Sequence, residues 1–133
     1  MYVSQLEISN YRNFKNFTVK LKPVTQIIGE NNIGKSNLLD SLGLIFSQEV
    51  SFFKRRVLDI SDFNYDTILV LKKAILNTSI PPQDISYPKI EIKATLKDWN
   101  LKQEAVITDW MSNSDFTEAT LTYTFAPISS FDK

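Results

Sequence analysis

The stretch VTQIIGENNIGKSNLLDSL, at residues 24–42, is the main basis of the fold that we predict. Its first part, Val24–Ile28, is a short apolar run rich in β-branched residues, which is typical of a fully buried central strand. A helical period begins at Lys35 and is expected to end near Ser47. The apolar residues that follow this period are Leu38, Leu39, Leu42, Ile45 and Phe46. A strand that enters a helix through a glycine-bounded loop is therefore the predicted centre of the domain.

The loop itself, GENNIGKS at residues 29–36, fits the pattern GxxxxGK[ST] of a phosphate-binding P-loop. Glycine at both ends lets the backbone direct successive N–H groups at an anion, and the following helix N-terminus adds its unpaired amides. We expect Lys35 to reach the β and γ phosphates of ATP, and the Ser36 hydroxyl to bind Mg²⁺. The predicted nucleotide-binding residues of this segment are Gly29, Asn31, Asn32, Ile33, Gly34, Lys35, Ser36 and, through its backbone amide, Asn37.

The loop has two alternative interpretations. The first is an ordinary glycine-bounded turn between a strand and a helix, in which Lys35 and Ser36 are merely solvated. The second is a dinucleotide-binding turn, which requires GxGxxG. Asn31 stands where the second glycine of that pattern would be, so the sequence excludes a dinucleotide fold.

Composition narrows the chemistry that the chain can perform. The chain has 133 residues, a net charge of zero, no cysteine and no histidine. These absences exclude disulfides, thiol nucleophiles, cysteine-ligated zinc and a Ser-His-Asp triad built from this chain alone. The N-terminus does not have the pattern of a secretory signal, and no window approaches the roughly 18 apolar residues that span a bilayer. We therefore expect a cytoplasmic protein with no membrane partner.

The remaining pattern predicts an α/β fold with a mixed sheet that begins with an antiparallel ribbon. A polar turn over residues 9–15 is expected to join the two ribbon strands. The strand at 90–96 alternates apolar with charged residues, which predicts one face in water and antiparallel neighbours. Tyr2, Leu6 and Ile8 are expected on one face of the first strand, and Ile68, Leu71 and Ile75 on the apolar face of the helix at 62–76. The predicted elements are strands at 2–8, 17–21, 90–96 and 119–125, helices at 62–76 and 101–111, and a loop at 80–88.

The phosphate-binding segment resembles that of a known group of ATPases. GENNIGKSNLLDSL, at residues 29–42, is similar to the Walker A region of ABC-type ATPases of the RecF, SMC and OLD (overcoming lysogenization defect) group. LEISNYRNFKNFTVKL, at residues 6–21, resembles the opening ribbon of the same group. Asn32 departs mildly, since these families commonly have glycine there. The form GENN followed by GKSNLL is most similar to the OLD family. The resemblance implies a P-loop NTPase fold, as a partial lobe of an ABC-type ATPase head.

The OLD resemblance also implies a function. Members carry an N-terminal ATPase and a C-terminal Toprim endonuclease, and several act in anti-phage defence. Two ATPase heads of this type enclose ATP between them, so a second copy of the head and, through the full-length protein, DNA are the implied partners. A RecF- or SMC-type DNA repair ATPase stays open as an alternative, and so does a non-catalytic interaction module that retains the P-loop fold.

The resemblance also implies a role for Arg12 in nucleotide binding. In these families the ribbon turn approaches the nucleotide, which implies that Arg12 contacts a phosphate or the base. The alternative is a solvated turn arginine, the usual state of such a residue. For Asp40 we favour a simple role in complementing the dipole of its helix, and for Glu30 a position in solvent.

Several motifs of a complete ABC-type site are absent from this sequence. No apolar strand ends in Asp-Glu, as Walker B would, and the nearest match, Ile107-Thr108-Asp109, lies in a helical stretch. We find no LSGGQ-like signature and no acidic cluster of the Toprim type. We therefore expect residues 1–133 to be the N-terminal part of a longer ATPase, to depend on the remainder of that chain, and to hydrolyse ATP poorly or not at all.

Three aromatic or basic features are of lower interest. The run FFKRR at 52–56 is expected to be a solvated linker with two core anchors, with contact to a DNA backbone as the alternative. Trp99 and Trp110 are expected to face the core or a partner rather than to stack on bases.

Overall fold

The computed structural model describes residues 1–30, 34–46, 58–112 and 114–127, and within them a four-stranded antiparallel sheet with three α-helices. The spatial order of the strands is β2-β1-β3-β4. The strands are β1 (Tyr2–Tyr11), β2 (Phe14–Lys20), β3 (Ile90–Lys97) and β4 (Ala119–Phe125), and the helices are α1 (Lys35–Phe46), α2 (Tyr65–Leu76) and α3 (Leu101–Ile107). Single 3-10 turns lie at Ile60–Asp62, Pro82–Asp84 and Thr108–Trp110.

The predicted N-terminal ribbon is confirmed. β1 and β2 pair antiparallel, with Leu6 opposite Val19 and Ile8 opposite Phe17. The turn is tighter than the polar cluster predicts, because Tyr11 still pairs with Phe14 and leaves only Arg12 and Asn13 as the connection. Arg12 adopts a positive φ of 49°, an uncommon conformation for a residue other than glycine.

A β-bulge changes which N-terminal side chain faces the core. In the pairing of β1 with β3, Val3 lies opposite Leu96 and Gln5 lies opposite Thr95, so Ser4 is an extra residue in β1. Its hydroxyl donates to the carbonyl of Thr95 at 3.1 Å. An inserted residue reverses the inward and outward alternation, so Val3 packs against the core where we predicted Tyr2.

The core lies on one face of the two central strands, where α1 covers them. Leu6, Ile8, Ile90 and Ile92 are completely buried, and Leu38 of α1 packs against them. Burying each of these side chains contributes about 1.5–3 kcal/mol to folding. The alternation predicted for residues 90–96 is confirmed, since every second residue of β3 is buried. A smaller cluster forms at the far end from Leu96, Ile107 and Ala119, with Trp99 packed against it.

The prediction of a central strand at Val24–Ile28 is wrong for the structure of these residues. The segment has no strand assignment, and the side chains of Val24 and Ile28 are 89% and 82% exposed. A strand with two apolar faces forms only between neighbouring strands, and none of the described strands pairs with this segment. All pairings of the described strands are antiparallel, so the mixed sheet that we expected is not observed there.

The helices lie close to their predicted positions, but the faces that they bury differ from the predicted ones. In α1, Leu38 is buried, but Leu39 and Phe46 are 60% and 41% exposed. Each lies about 100° around the helix from the residue before it, and the sheet covers only one side of the helix. α2 begins at Tyr65 rather than near Asp62, contains no buried residue and leaves Ile75 exposed. α3 ends in a 3-10 turn that contains Thr108 and Asp109, so this stretch is helical, as predicted.

The expected loop at 80–88 is confirmed apart from its 3-10 turn, and the final strand at 119–125 has the predicted bounds. No helix within the described part of the chain has the length and apolar character needed to cross a bilayer.

Candidate nucleotide-binding site

Lys35 is the first residue of α1, and its side chain folds back over the loop that precedes the helix. Its Nζ donates to the carbonyl of Gly29 and, at 2.6 Å, to the carbonyl of Glu30. A Cβ atom at Gly29 would lie 3.9 Å from Cδ of Lys35, so the lysine stem passes close to this glycine. The ammonium group therefore lies against backbone carbonyls of the loop, and its predicted contact with phosphates stays a prediction.

The other end of the loop forms the N-terminus of a regular helix. The carbonyl of Gly34 accepts from the amide of Leu38 at 2.9 Å, which is the first hydrogen bond of α1. The amides of the first turn have no partner within the helix and point towards the loop, which favours an anion there. The first turn contains no acidic residue that would compete for this position. Ser36, the second residue of the helix, is exposed.

Gly34 is required as glycine for two separate reasons. Its φ is +107°, a conformation that residues with a Cβ rarely adopt. A Cβ added at this position would also lie 3.1 Å from Cγ and 3.2 Å from Oδ1 of Asn13, and closer still to its Nδ2. The ribbon turn thus touches the last glycine of the P-loop directly.

Asn37 connects the same turn to α1 through both ends of its side-chain amide. Its Nδ2 donates to Oδ1 of Asn13 at 2.7 Å, and its Oδ1 accepts from Nη1 of Arg12. The predicted role of Asn37 involved only its backbone amide, and no described contact tests that role. The side-chain bridge between the turn and the helix was not predicted.

Arg12 is held by acidic side chains from two other elements. Its Nε donates to Oδ1 of Asp62 at 3.1 Å, and its Nη1 donates to Oδ2 of Asp40 at 2.7 Å. Burial of the guanidinium lowers its pKa, but the hydrogen bond to Asp62, the proximity of Tyr11 and the contact with Asp40 raise the pKa by more, so it lies above its ordinary value. The alternative of a solvated turn arginine is wrong, and the predicted contact with a nucleotide stays a prediction.

Asp40 and Asp62 have roles that the sequence did not reveal. Asp40 is the sixth residue of α1, beyond the turn where the dipole acts, and it forms an ion pair with Arg12. Asp62 closes a capping box with Asp59 around the turn Ile60–Asp62. The spacing Asp59-x-x-Asp62 was a local signal for that cap. No local signal indicated the partner of Asp62 at residue 12, because the contact is long-range.

Two buried polar atoms beside this network have no hydrogen-bond partner among the described residues. They are the hydroxyl of Tyr11 and Oδ1 of Asn64. Burial of the Tyr11 hydroxyl raises its pKa to about 12, against an opposing effect of Arg12. The guanidinium of Arg12 lies 5.1 Å from the centroid of the Tyr11 ring, within the range of a cation–π contact.

The remaining candidate residues divide into described and undescribed ones. Asn31, Asn32 and Ile33, and the FFKRR run at 52–56, lie outside the described residues. Glu30 is exposed, as expected. Trp99 packs against the smaller core cluster, whereas Trp110 is 39% exposed. Among the described residues no three acidic side chains are grouped in a way that could hold a metal ion. Ser36 as a Mg²⁺ ligand stays a prediction.

The chain matches the sequence profile of a known protein family. The sequence profile described as "AAA ATPase domain" matches residues 1–125. The chain belongs to the AAA ATPase domain family. The fold of this ATPase domain is therefore that of a P-loop NTPase, while nucleotide binding by the loop at 29–36 stays a prediction. Domains of this family generally bind ATP with Mg²⁺, and the ammonium of Lys35, the hydroxyl of Ser36 and the helix N-terminus of α1 fit such a ligand.

Curated relatives are similar over a shorter stretch. The DNA replication and repair protein RecF of Rickettsia bellii is 44% identical over 48 residues, which is 35% of this chain and 13% of that protein. RecF of Clostridium perfringens is 42% identical over 43 residues, or 32% of this chain and 12% of the relative. RecF of Latilactobacillus sakei is 44% identical over 43 residues, with the same shares. The matched stretch thus spans a small part of each relative. These matches support the resemblance to RecF-like ABC-type ATPases, while the OLD assignment stays a prediction.

Proposed function

We propose that this ATPase domain is the ATP-binding lobe of a DNA-directed ATPase, with ATP and Mg²⁺ bound at residues 29–36. The observation that carries the proposal is the position of Lys35. Its ammonium group lies against the carbonyls of Gly29 and Glu30 at the start of a 12-residue helix whose first turn has no acid. A cation and a row of unpaired amides therefore converge on one loop, as binding of a triphosphate requires.

Each residue of this loop has a separate role in nucleotide binding. Bound ATP would supply the phosphoanhydride, and Mg²⁺ would supply positive charge that offsets the charge of the phosphates. Lys35 exchanges its two carbonyl acceptors for phosphate oxygens. The first-turn amides of α1 hold phosphate oxygens, and the hydroxyl of Ser36 is the protein ligand offered to Mg²⁺. The positive φ of Gly34 lets the backbone turn from the loop into the helix.

The DNA-directed part of the proposal is supported by the RecF relatives, which are named as DNA replication and repair proteins. A RecF-like repair ATPase is therefore the form that we favour. The OLD-type alternative, an ATPase joined to a Toprim endonuclease in anti-phage defence, is supported only by the resemblance of GENN and GKSNLL. In both forms the remainder of the chain and a second ATPase head would complete the site.

Nucleotide binding by the full-length protein tests the proposal. Lys35→Ala removes the charge-assisted contact to the phosphates, and we expect the affinity for ATP with Mg²⁺ to fall by roughly tenfold or more in calorimetry. Lys73→Ala, in the last turn of α2, is the matched control and should leave the affinity unchanged. Equal affinities of the two variants would overturn the P-loop assignment.

The metal and DNA parts need separate measurements. Ser36→Ala should weaken ATP binding in the presence of Mg²⁺ and have little effect when the metal is chelated. Duplex DNA should stimulate ATP hydrolysis by the full-length protein. ATP-dependent nicking of plasmid DNA would favour the OLD-type nuclease, whereas stimulation without nicking would favour the RecF-like form.

A further inference from the structure

The ribbon turn holds a side chain against the phosphate-binding loop. Asn13 is the second residue of this turn, and its amide lies so close to Gly34 that a Cβ there would sit 3.1 Å from Cγ of Asn13. Gly34 is also the residue at which the loop becomes helix, since its carbonyl accepts the first hydrogen bond of α1. The Asn13 amide therefore restricts the backbone conformation of Gly34, which sets the direction of the amides that follow.

The position of the Asn13 side chain is itself fixed. Oδ1 of Asn13 accepts from Nδ2 of Asn37 at 2.7 Å. The other end of the Asn37 amide accepts from Arg12, so Asn37 cannot rotate by 180° without losing both contacts. Arg12 is in turn held by Asp40 and Asp62. A chain of polar contacts thus runs from the ion pairs of Arg12 through Asn37 and Asn13 to the loop.

We propose that Asn13 is a positioning residue for phosphate binding, whose side chain, held by Asn37, fixes the backbone of Gly34 before the nucleotide arrives. This inference depends on the proposed function of the loop. Its physical basis is the freedom of glycine, which loses more conformational entropy on ordering than any other residue. A contact that already restricts Gly34 in the free protein lowers the entropic cost of binding. Asn13 acts through Gly34 and touches no reacting atom.

The first variant is Asn13→Ala in the full-length protein. We expect the affinities for ATP and for inorganic tripolyphosphate to fall by about two- to tenfold, the range produced by loss of a neutral hydrogen bond. Tripolyphosphate is included because it occupies the loop without a base. Asn16→Ala is the matched control, since Asn16 is an exposed residue of β2 opposite Ser9. The control should keep wild-type affinity for both ligands.

Asn13→Asp separates positioning from a general loss of stability. Aspartate keeps the size of the side chain and the acceptor for Asn37, and it adds a negative charge next to the phosphate loop. We expect its affinity for tripolyphosphate to fall more than that of Asn13→Ala at low salt and to recover at high salt, where the Debye length is short. The added charge by itself accounts for the loss at low salt, so the deciding comparison is made at high salt. There Asn13→Asp, which keeps the acceptor for Asn37, should bind tripolyphosphate more tightly than Asn13→Ala, and equal affinities would contradict positioning by this side chain. Because Asn13→Asp is nearly isosteric, it keeps the proposal testable if Asn13→Ala unfolds.

A double-mutant cycle tests the contact between Asn13 and Gly34. Gly34→Ala introduces both backbone strain and a clash with Asn13, whereas in an Asn13→Ala background only the strain remains. The loss of tripolyphosphate affinity caused by Gly34→Ala should therefore be smaller in that background. Additive losses, or wild-type affinity in both Asn13 variants, would overturn the inference. If Lys35→Ala also leaves binding unchanged, the proposed function fails; if Lys35→Ala weakens binding and the Asn13 variants do not, only the role of Asn13 is wrong.

Discussion

Nε of Arg12 lies 3.1 Å from Oδ1 of Asp62, although fifty residues separate them in the chain. The backbone amide of Arg12 also donates to the carbonyl of Asp62 at 2.7 Å. The two side chains are only 21% and 7% exposed. This pair therefore joins the ribbon turn to the segment before α2 by both main-chain and side-chain contacts, in a place from which water is largely excluded.

Arg12→Ala should destabilise the 1–133 chain. The substitution leaves the buried carboxylate of Asp62 without its cation, and we expect the free energy of unfolding to fall by about 2 kcal/mol. Arg12→Lys should recover part of the loss, because an ammonium restores the charge but cannot reach Asp62, Asp40 and Asn37 together. Urea unfolding at submicromolar concentration, followed by fluorescence of Trp99 and Trp110, measures both effects.

The control for this prediction is an exposed ion pair. Nζ of Lys89 lies 2.8 Å from Oε2 of Glu91, and the lysine side chain is 60% exposed. Surface pairs of this kind contribute about 0–1 kcal/mol, so Lys89→Ala should change stability little. A loss for Arg12→Ala no larger than that for Lys89→Ala would contradict the structural role of Arg12.

Tyr11→Phe should make stability less dependent on alkaline pH. Burial raises the pKa of Tyr11 from 10.0 to about 12 in the folded state. Between these two pH values the folded protein therefore keeps the proton of Tyr11, whereas the unfolded chain loses it. The contribution of protonated Tyr11 to the free energy of unfolding is complete below pH 10 and is lost as the pH rises to about 12. Wild-type stability should fall more steeply than that of Tyr11→Phe across this interval, as measured by urea unfolding at several pH values.

The same substitution gives a second outcome at neutral pH. The Tyr11 hydroxyl is buried and has no hydrogen-bond partner in the part of the chain that the structure describes, so its removal should leave stability unchanged or raise it by about 1 kcal/mol. Tyr65→Phe serves as a control, because Tyr65 is 70% exposed. A marked loss of stability in Tyr11→Phe alone would mean that the hydroxyl has a partner in solution.

The 1–133 chain should show no steady ATP turnover above background. Its sequence has no apolar strand ending in Asp-Glu, and the nearest match, at residues 107–109, lies at the end of α3 and in the 3-10 turn that follows. A coupled ADP-release assay measures turnover. Activity of this chain that disappears in Ser36→Ala would show that a catalytic carboxylate exists among these residues.

The 1–133 chain should also associate at micromolar concentration. Val24 and Ile28 are 89% and 82% exposed beside the phosphate loop, and Leu76 at the end of α2 is 80% exposed. Apolar surface of this kind promotes association. Static light scattering should report species larger than a monomer, and the double substitution Val24→Ser and Ile28→Ser should reduce their size. A wild-type chain that stays monomeric would favour the stand-alone interaction module.

Elements with local signals could be predicted from the sequence. Alternation in β2, β3 and β4 predicted strands close to those observed, because the period of two reflects the inward and outward direction of neighbouring side chains. The glycines and Lys35 predicted the phosphate loop, because that chemistry requires particular residues at fixed spacing. The same local pattern misjudged Val24–Ile28, since an apolar run becomes a strand only when other strands pair with it.

The contacts that organise the site depend on how distant segments pack together. No periodicity joins Arg12 to Asp62 or Asn13 to Gly34, because these pairs meet only after the ribbon, α1 and the start of α2 have packed together. The extra residue at Ser4 likewise appears only in the pairing of β1 with β3, where it places Val3 rather than Tyr2 in the core. Long-range polar contacts and strand register depend on the relative positions of distant segments, and the order of residues in one segment does not encode those positions.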